Sequence, residues 1–503
     1  MQLDFSTNLH YVWALLPEIV LSVWAMMVLL LDVLQKGNRT GPSHPMIPWL
    51  TLAGLVLTAG ANVWLMQVGT VGTAGVIAVD SFRIFANFIF LLAAALAILI
   101  SFGYVDRHGI NMGEFYVLIA FATVGMMLMA AARELILIFL ALELMSVSIY
   151  VLVGLNRQDP RSAEASLKYF LLGAFASAFF LYGIALIFGA TGTTHLPTIA
   201  SLLAGGFEAS TAMLLSGVAL TAVGFAFKVA AVPFHVWTPD AYDGAPTPVT
   251  ALMATGVKAA AFAAFIRVFP VSLAGVYDQW SVVVWWLAVL TMVGANLIAL
   301  TQGSVKRMLA YSSIAHAGYL LVALVSANQL GAAAFLFYLL VYTVMTVGAF
   351  GVVIANARGP NERVALEDYA GLGWQQPLLA AAFSIFLLSL AGFPLTGGFI
   401  GKLYILRAAL DAGHAQLAVI LVLASLISYF YYLRVVIVMY MRPAPAEDTH
   451  SGLHVPVPAL VAVAVAAVAV LGLFFYPAYL LGVAEASVAS LFAAPEASFG
   501  LRP

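Results

Sequence analysis

The sequence predicts an all-α polytopic membrane protein of about fourteen transmembrane helices, with two inverted five-helix repeats inside it. Three observations carry that prediction. The 503 residues are 64% hydrophobic and 8% charged, where soluble chains run roughly a quarter charged. Apolar runs of bilayer-crossing length, about 18–25 residues, follow one another with short connections. Two of these runs, five spans apart, are interrupted by proline and glycine.

In order, the runs lie near 12–34, 47–67, 82–103, 114–132, 135–154, 164–190, 211–236, 248–270, 281–301, 307–326, 331–356, 377–410, 415–441 and 456–476. No connection is long enough for a soluble domain. The start, MQLDFSTNLHYVW, lacks the basic region of a secretory signal, so the first run is expected to remain as a span. Glu18 in that span reads as a helix-packing or subunit-contact group. After Pro477 a short amphipathic tail is expected on the membrane surface. The chain divides into a three-helix segment (1–110), a first repeat (111–270), a second repeat (271–441) and a C-terminal helix and tail (442–503).

Basic loop residues set the expected orientation. Lys36, Arg39, Arg107, Arg157, Arg161, Lys306, Arg307, Arg358, Arg363 and Arg442 all follow odd-numbered spans. Only Arg133 and the span-edge residues Arg83 and Arg267 break the pattern. The positive-inside bias then places those loops in the cytoplasm and both termini on the periplasmic side.

The two interrupted runs are GFAFKVAAVPFHVWTPD, with Pro233, and LSLAGFPLTGGFIGKLYIL, with Pro394, Gly397 and Gly398. A proline cannot donate a backbone bond, so Pro233 frees the carbonyl of Val229 and Pro394 that of Leu390. Irregular backbone at membrane depth survives only inside protein or against a wet cavity. Breaks in spans 7 and 12 point to a duplication of spans 4–8 as 9–13. An odd number of spans per unit inverts the second copy, as in many ion carriers.

The chain holds six lysines, and four lie within apolar runs: Lys168, Lys228, Lys258 and Lys402. Glu143 sits about 14 Å into its span, near mid-membrane. There it either holds a proton or faces a cation. Lys258 sits about 15 Å into span 8, out of reach of either surface. Thr247 is expected to cap that span, with Pro248 at its first helical position. Lysines at such depth, balanced between burial and a carboxylate, suit a proton relay. Lys168 is ambiguous, since its (i, i+4) spacing to Glu164 fits a simple ion pair equally well. His316, a turn past Ser312 and Ser313, reads either as a core histidine or as a stepping stone between Lys258 and Lys402. His235 and Asp240, beside the first break, read as accessory or loop-stabilising groups.

Other classes find no support. A net charge of −2 disfavours nucleic acid. With no cysteine, the chain holds no thiolate zinc site or iron–sulfur cluster of its own. No glycine-rich phosphate loop precedes a helix, so ATP is not the direct driver. The chain is expected to bind no cofactor or metal and to borrow its energy from a partner or a gradient.

PFHVWTPDAYDGAPTPVTALMATGVKAA and SVKRMLAYSSIAHAGYLLVAL closely resemble the antiporter-like membrane subunits of respiratory complex I, and the likeness covers spans 4 to 13. Lysine at 402, the ALLPEIVL start and the fourteen-span length select one bacterial member of that family. The resemblance implies a proton-translocating subunit of NADH–quinone oxidoreductase in the bacterial inner membrane, without a redox centre. NADH, FMN, iron–sulfur clusters and quinone would belong to partner subunits. Its neighbours would be other membrane-arm subunits, one of them antiporter-like. The implied proton path runs through Glu143, Lys228, Lys258 and Lys402, with Lys168 and His316 as intermediate positions. Moving one charge against 100 mV takes about 2.3 kcal/mol. A two-unit change in one lysine's proton affinity supplies roughly 2.7 kcal/mol. The alternatives are a subunit of a monovalent cation/proton antiporter or of a related membrane-bound hydrogenase, and a static scaffold.

Overall fold

The computed structural model describes all residues except 1, 5–7, 37–42, 72–74, 207–210, 358–361, 445–454 and 493–503. Arg39 and Arg358, two of the basic-loop residues, lie outside the described residues. Thirteen described helices are long and apolar enough to cross a membrane. The twelfth segment is a pair of half-helices, Pro377–Ala391 and Gly397–Asp411, which completes the expected fourteen.

Spans 1 to 3 are Leu16–Lys36, Ile47–Leu65 and Ser81–Ser101. Spans 4 to 6 are Gly113–Ala131, Leu135–Val153 and Pro160–Thr191. Span 7 runs Thr211–Val229 and resumes at Thr238–Gly244 after its break. Spans 8 to 11 are Thr247–Ser272, Tyr277–Ala299, Val305–Ser326 and Gln329–Ala355. Spans 13 and 14 are Ala415–Met441 and Val457–Phe475. Span 4 packs on 5 and 6 on 7; in the second repeat 9 packs on 10 and 11 on 12.

Spans 8, 10 and 11 are enclosed, with 100%, 94% and 94% of their residues buried, whereas spans 1, 6, 13 and 14 are only 33% buried. The enclosed set carries Lys258 and His316, each 1% exposed. A polar group with no water at hand must find its partner inside the protein.

Several local features differ from the sequence expectation. A short helix, Asn8–Ala14, precedes span 1, and Gln2–Asp4 pairs in parallel with Gly69–Val71 as a small two-stranded sheet. Helix Leu196–Ala204 packs under the end of span 8. Past Pro477 the chain forms helix Pro477–Phe492, which buries Leu481, Ala484 and Val488 against spans 3 and 11 instead of lying free on the surface. Thr247 does not cap span 8. Pro246 holds the cap position, and the Thr247 hydroxyl donates instead to Glu362 Oε1 at 2.6 Å. Thr247 is itself the first helical residue, so its hydroxyl is free to donate to the charged carboxylate.

That carboxylate anchors a buried cluster. Lys306 Nζ donates to Glu362 Oε2 at 2.9 Å and to the Ala245 carbonyl at 2.8 Å, and Tyr104 OH donates to Glu362 Oε1 at 2.5 Å. The cluster ties the connection after span 11 to the starts of spans 8 and 10. Burial alone would raise the Glu362 carboxyl, but Lys306, Thr247 and Tyr104 outweigh it and hold it at about 2, below its ordinary 4.5. A carboxyl lowered this way stabilises the fold in full above pH 4.5 and loses that contribution as pH falls toward 2, roughly 3 kcal/mol in all. Glu362→Gln is expected to flatten the acid limb of unfolding across that window, read by acid titration of the detergent-solubilised chain.

The N-terminal segment is locked by another buried pair. Both oxygens of Glu18 lie 2.7 Å from Arg83 NH2, with 3% and 0% of the two residues exposed. Asp80 caps span 3 and accepts from Arg267 at 2.7 Å. Glu18 thus serves as a packing group joining span 1 to span 3.

Candidate functional site

The two breaks are built differently. Span 7 ends at Val229, followed by Ala230 at φ 63°, and the backbone N–H of Val232 donates to Thr291 Oγ1 of span 9 at 2.9 Å. Span 12 ends with Gly392 at φ 86°, and the N–H groups of Gly392 and Phe393 close on the Leu388 carbonyl. Glycine adopts that left-handed turn without strain.

Lys228, at the end of the first half-helix of span 7, is 2% exposed. Its Nζ donates to Ser146 Oγ at 2.7 Å and to Tyr169 OH at 3.4 Å, with the rings of Tyr150 and Tyr169 within 5.6 Å. Ser146 lies one turn past Glu143 on span 5. Glu143 is half-buried, and its Oε1 accepts from Ser177 Oγ of span 6 at 2.5 Å. The glutamate and the lysine make no direct ion pair. A cavity of about 10 Å³ lined by Tyr150, Ser177, Phe227 and Lys228 lies between the spans, room for one water.

Lys258 is 1% exposed in span 8. Five residues before it, Met253–Val257, form a π-helical turn, which advances the following side chain around the axis. Its Nζ donates to the carbonyl and hydroxyl of Ser313, both at 2.8 Å, and faces the Tyr242 ring at 5.7 Å. Between Lys228 and Lys258 stands an aromatic wall in which Tyr169 stacks on Trp237 at 4.2 Å. The hydroxyl of Thr238 is buried there without a hydrogen-bond partner, and that of Tyr242 reaches only toward Ser313. Unmet polar groups of this kind cost about 1–3 kcal/mol each and favour bridging water.

His316 is enclosed in span 10, 1% exposed. Its Nδ1 meets Tyr338 OH at 2.5 Å, and its Nε2 lies 3.3 Å from Tyr432 OH. Lys402, 6% exposed, follows the second break. Its Nζ donates to the carbonyls of Leu390 and Ala391, each at 2.9 Å, and lies 4.7 Å from the centre of the Tyr319 ring. Leu390 is the residue whose carbonyl Pro394 frees. The lysine therefore answers the negative end of the preceding half-helix, across the break, more than the positive start of its own.

Lys168 stands apart. Its ammonium pairs with Glu164 at 2.7 Å and Asp240 at 2.9 Å, with 44% of its side chain exposed. Asp240 also takes Arg307 at 3.0 Å. An exposed cluster of this kind contributes little to stability, about 0–1 kcal/mol per pair. The structure thus brings Lys258 and His316 together around Ser312 and Ser313, keeps Lys228 with Glu143, and leaves Lys168 and Asp240 outside the row.

Sequence reasoning missed Ser146, Ser177, Tyr338 and Tyr432, which supply the hydrogen bonds. Ser146 had a signal, one turn from Glu143. Tyr432 had none, because it comes from a distant span.

Fold and site define a polytopic carrier with two broken helices and a row of enclosed ionisable groups. A family described as "NADH:quinone oxidoreductase/Mrp antiporter, TM" matches residues 132–428. NADH-quinone oxidoreductase subunit N of Trichlorobacter lovleyi is 50% identical over 444 residues, 88% of this chain and 89% of that one. A chain of respiratory complex I from Thermus thermophilus superposes with TM-score 0.78 at 36% identity, covering 94% of this chain and 100% of that one. A chain of the Mrp complex from Dietzia sp. shares the fold, with TM-score 0.81 at 22% identity over 96% and 98%. The chain belongs to the NADH:quinone oxidoreductase/Mrp antiporter family, among the relatives of subunit N.

Proposed function

We propose that this chain is a proton-translocating membrane subunit of a bacterial NADH–quinone oxidoreductase, of the subunit N type. One observation carries the reading. Lys228, Lys258 and Lys402 are at most 6% exposed, and among the described residues none of them has a carboxylate within ion-pair distance. A lysine meant as a static rivet would face an acid, since an uncompensated buried charge is costly. Each of these faces hydroxyls or carbonyls, which accept from the ammonium and leave the proton free to go.

Quinone reduction in partner subunits, which hold NADH, FMN and iron–sulfur clusters, alters the charge state along the row. Glu143 approaches or leaves Lys228, changing that lysine's hold on its proton. The proton passes through water at the aromatic wall to Lys258, then by His316 to Lys402 and out. Half-buried Glu143 lies on a flank that a neighbouring antiporter-like subunit would cover. Lys168, Asp240 and Arg307 form a charged cluster beside the path. The chain sits in the cytoplasmic membrane, and the basic residues after odd-numbered spans support an orientation with both termini periplasmic.

The test is proton uptake by vesicles carrying the assembled complex during NADH oxidation. Glu143→Ala and Lys228→Ala are each expected to lose uptake by about tenfold or more, an added barrier of at least 1.4 kcal/mol. Glu143→Asp is expected to fall between, because its carboxylate is kept but drawn back from Ser177. Full uptake in both alanine variants would falsify the relay. Uptake driven by a sodium gradient without NADH would favour the cation/proton antiporter reading instead.

A further inference from the structure

Span 13 is a peripheral helix, 33% buried, yet it sends Tyr431 and Tyr432 fully into the interior, 2% and 0% exposed. Tyr431 has a packing partner, since its hydroxyl donates to Asn296 Oδ1 at 2.9 Å. Tyr432 is placed otherwise. Its hydroxyl bonds with Ser312 Oγ and lies 3.3 Å from Nε2 of His316. Ser312 and His316 occupy one face of span 10 a turn apart, about 6 Å along the axis. Tyr432 comes in from the neighbouring helix and touches both of them. Ser312 adjoins Ser313, which holds Lys258. On the far side of the imidazole, Nδ1 meets Tyr338 OH at 2.5 Å. The Tyr338 ring packs so closely on Gly401, the residue before Lys402, that a Cβ there would lie 2.4 Å from its Cδ2.

We infer that Tyr432 is a proton-carrying residue, the stage between the Lys258–Ser313 group and His316. The assignment rests on the relay reading above. With the Nδ1 proton donated to Tyr338, Nε2 accepts from Tyr432. As a proton moves from Ser312 to the Tyr432 oxygen, the phenolic O–H breaks and its proton bonds to Nε2. Tyr432 stays neutral and His316 becomes the imidazolium. Release of the Nδ1 proton toward Tyr338 returns a neutral ring. The Lys258 ammonium, through Ser313, replaces the proton that Ser312 gives up, and Tyr338 passes its own proton on toward Lys402. Each oxygen thus ends with the protons it began with. The imidazole is left protonated on Nε2, and its return to the Nδ1 form, with hydroxyl rotation, resets the row. No redox partner or phenolate intermediate enters.

Tyr432→Phe keeps the ring and deletes only the hydroxyl. In vesicles holding the assembled complex, NADH-driven proton uptake is expected to fall about a hundredfold, at the low end for loss of a proton-transfer group. Tyr440→Phe, near the end of span 13 where its ring packs on Gly373, is expected to leave uptake near the unmodified level. Ser312→Ala is expected to match Tyr432→Phe, and the double variant to be no slower than the slower single, as for groups acting in series. Ser312→Ala alone carries the same expectation if the tyrosine variant assembles poorly. Unchanged uptake in Tyr432→Phe or Ser312→Ala, or losses that add in the double variant, overturns the assignment. Lys258→Met measured alongside separates the two levels. Uptake lost there but kept in Tyr432→Phe removes Tyr432 alone, and uptake kept in both removes the relay itself.

Discussion

Lys258→Met is expected to abolish coupled proton uptake, by about tenfold or more, while leaving the chain at least as resistant to heat. The two halves of that expectation have one cause. Lys258 is 1% exposed and bonded only to Ser313. Removing a buried charge that no acid compensates relieves its desolvation cost, and methionine fills nearly the same unbranched volume. Nothing is orphaned by the change, because the Ser313 hydroxyl keeps its own bond to the Ala310 carbonyl at 2.9 Å. A static scaffold predicts the reverse, with uptake intact and stability reduced. Dye-detected uptake and thermal unfolding of the same preparation decide between them.

Gly398→Ala is expected to have the largest structural effect of any Gly→Ala change among the described glycines, above about 3 kcal/mol. A Cβ at that position would stand 2.0 Å from the Ser389 carbonyl oxygen and 2.8 Å from its carbon. Those are backbone atoms of the facing half-helix and have no rotamer to retreat into. The same contact lets the Gly398 N–H reach Ser389 Oγ at 3.2 Å. Forcing the halves apart would also move Leu390 and Ala391 away from Lys402, so assembly and uptake should fail together. Gly472 is the matched comparison, with nothing within 4 Å of its added Cβ. Gly472→Ala should be neutral or slightly stabilising, since alanine favours the helix by about 0.5–1 kcal/mol. Equal yields of assembled complex from the two variants would contradict the close approach at the break.

The breaks and the buried charges were legible because each is written locally. Pro233 and Pro394 mark the two breaks by their own geometry, although the first half of span 12 closes at Gly392 and the Gly397–Gly398 pair opens the second half instead of stopping the first. A lysine inside twenty apolar residues is conspicuous whatever surrounds it. The (i, i+4) pairing of Lys168 with Glu164 was equally local. The π-helical turn before Lys258 was not, since MATGV carries no residue that demands it. Helix Pro477–Phe492 was misplaced for a related reason. Its apolar residues suit a lipid surface and a groove between spans 3 and 11 alike, and only the neighbours choose.

The sequence by itself determined how many times this chain crosses the bilayer, where its helices break and which side chains are stranded at mid-depth. These follow from hydrophobic length and from backbone chemistry, which act within a few residues. Only the tertiary structure decided what each stranded group touches. Lys402 reaches back across its break to Leu390, Lys258 finds Ser313 fifty-five residues away, and Tyr432 comes in from span 13 to stand beside His316. In oil every polar group must take its partner from whichever helix packs against it, and that choice belongs to the packing of distant segments.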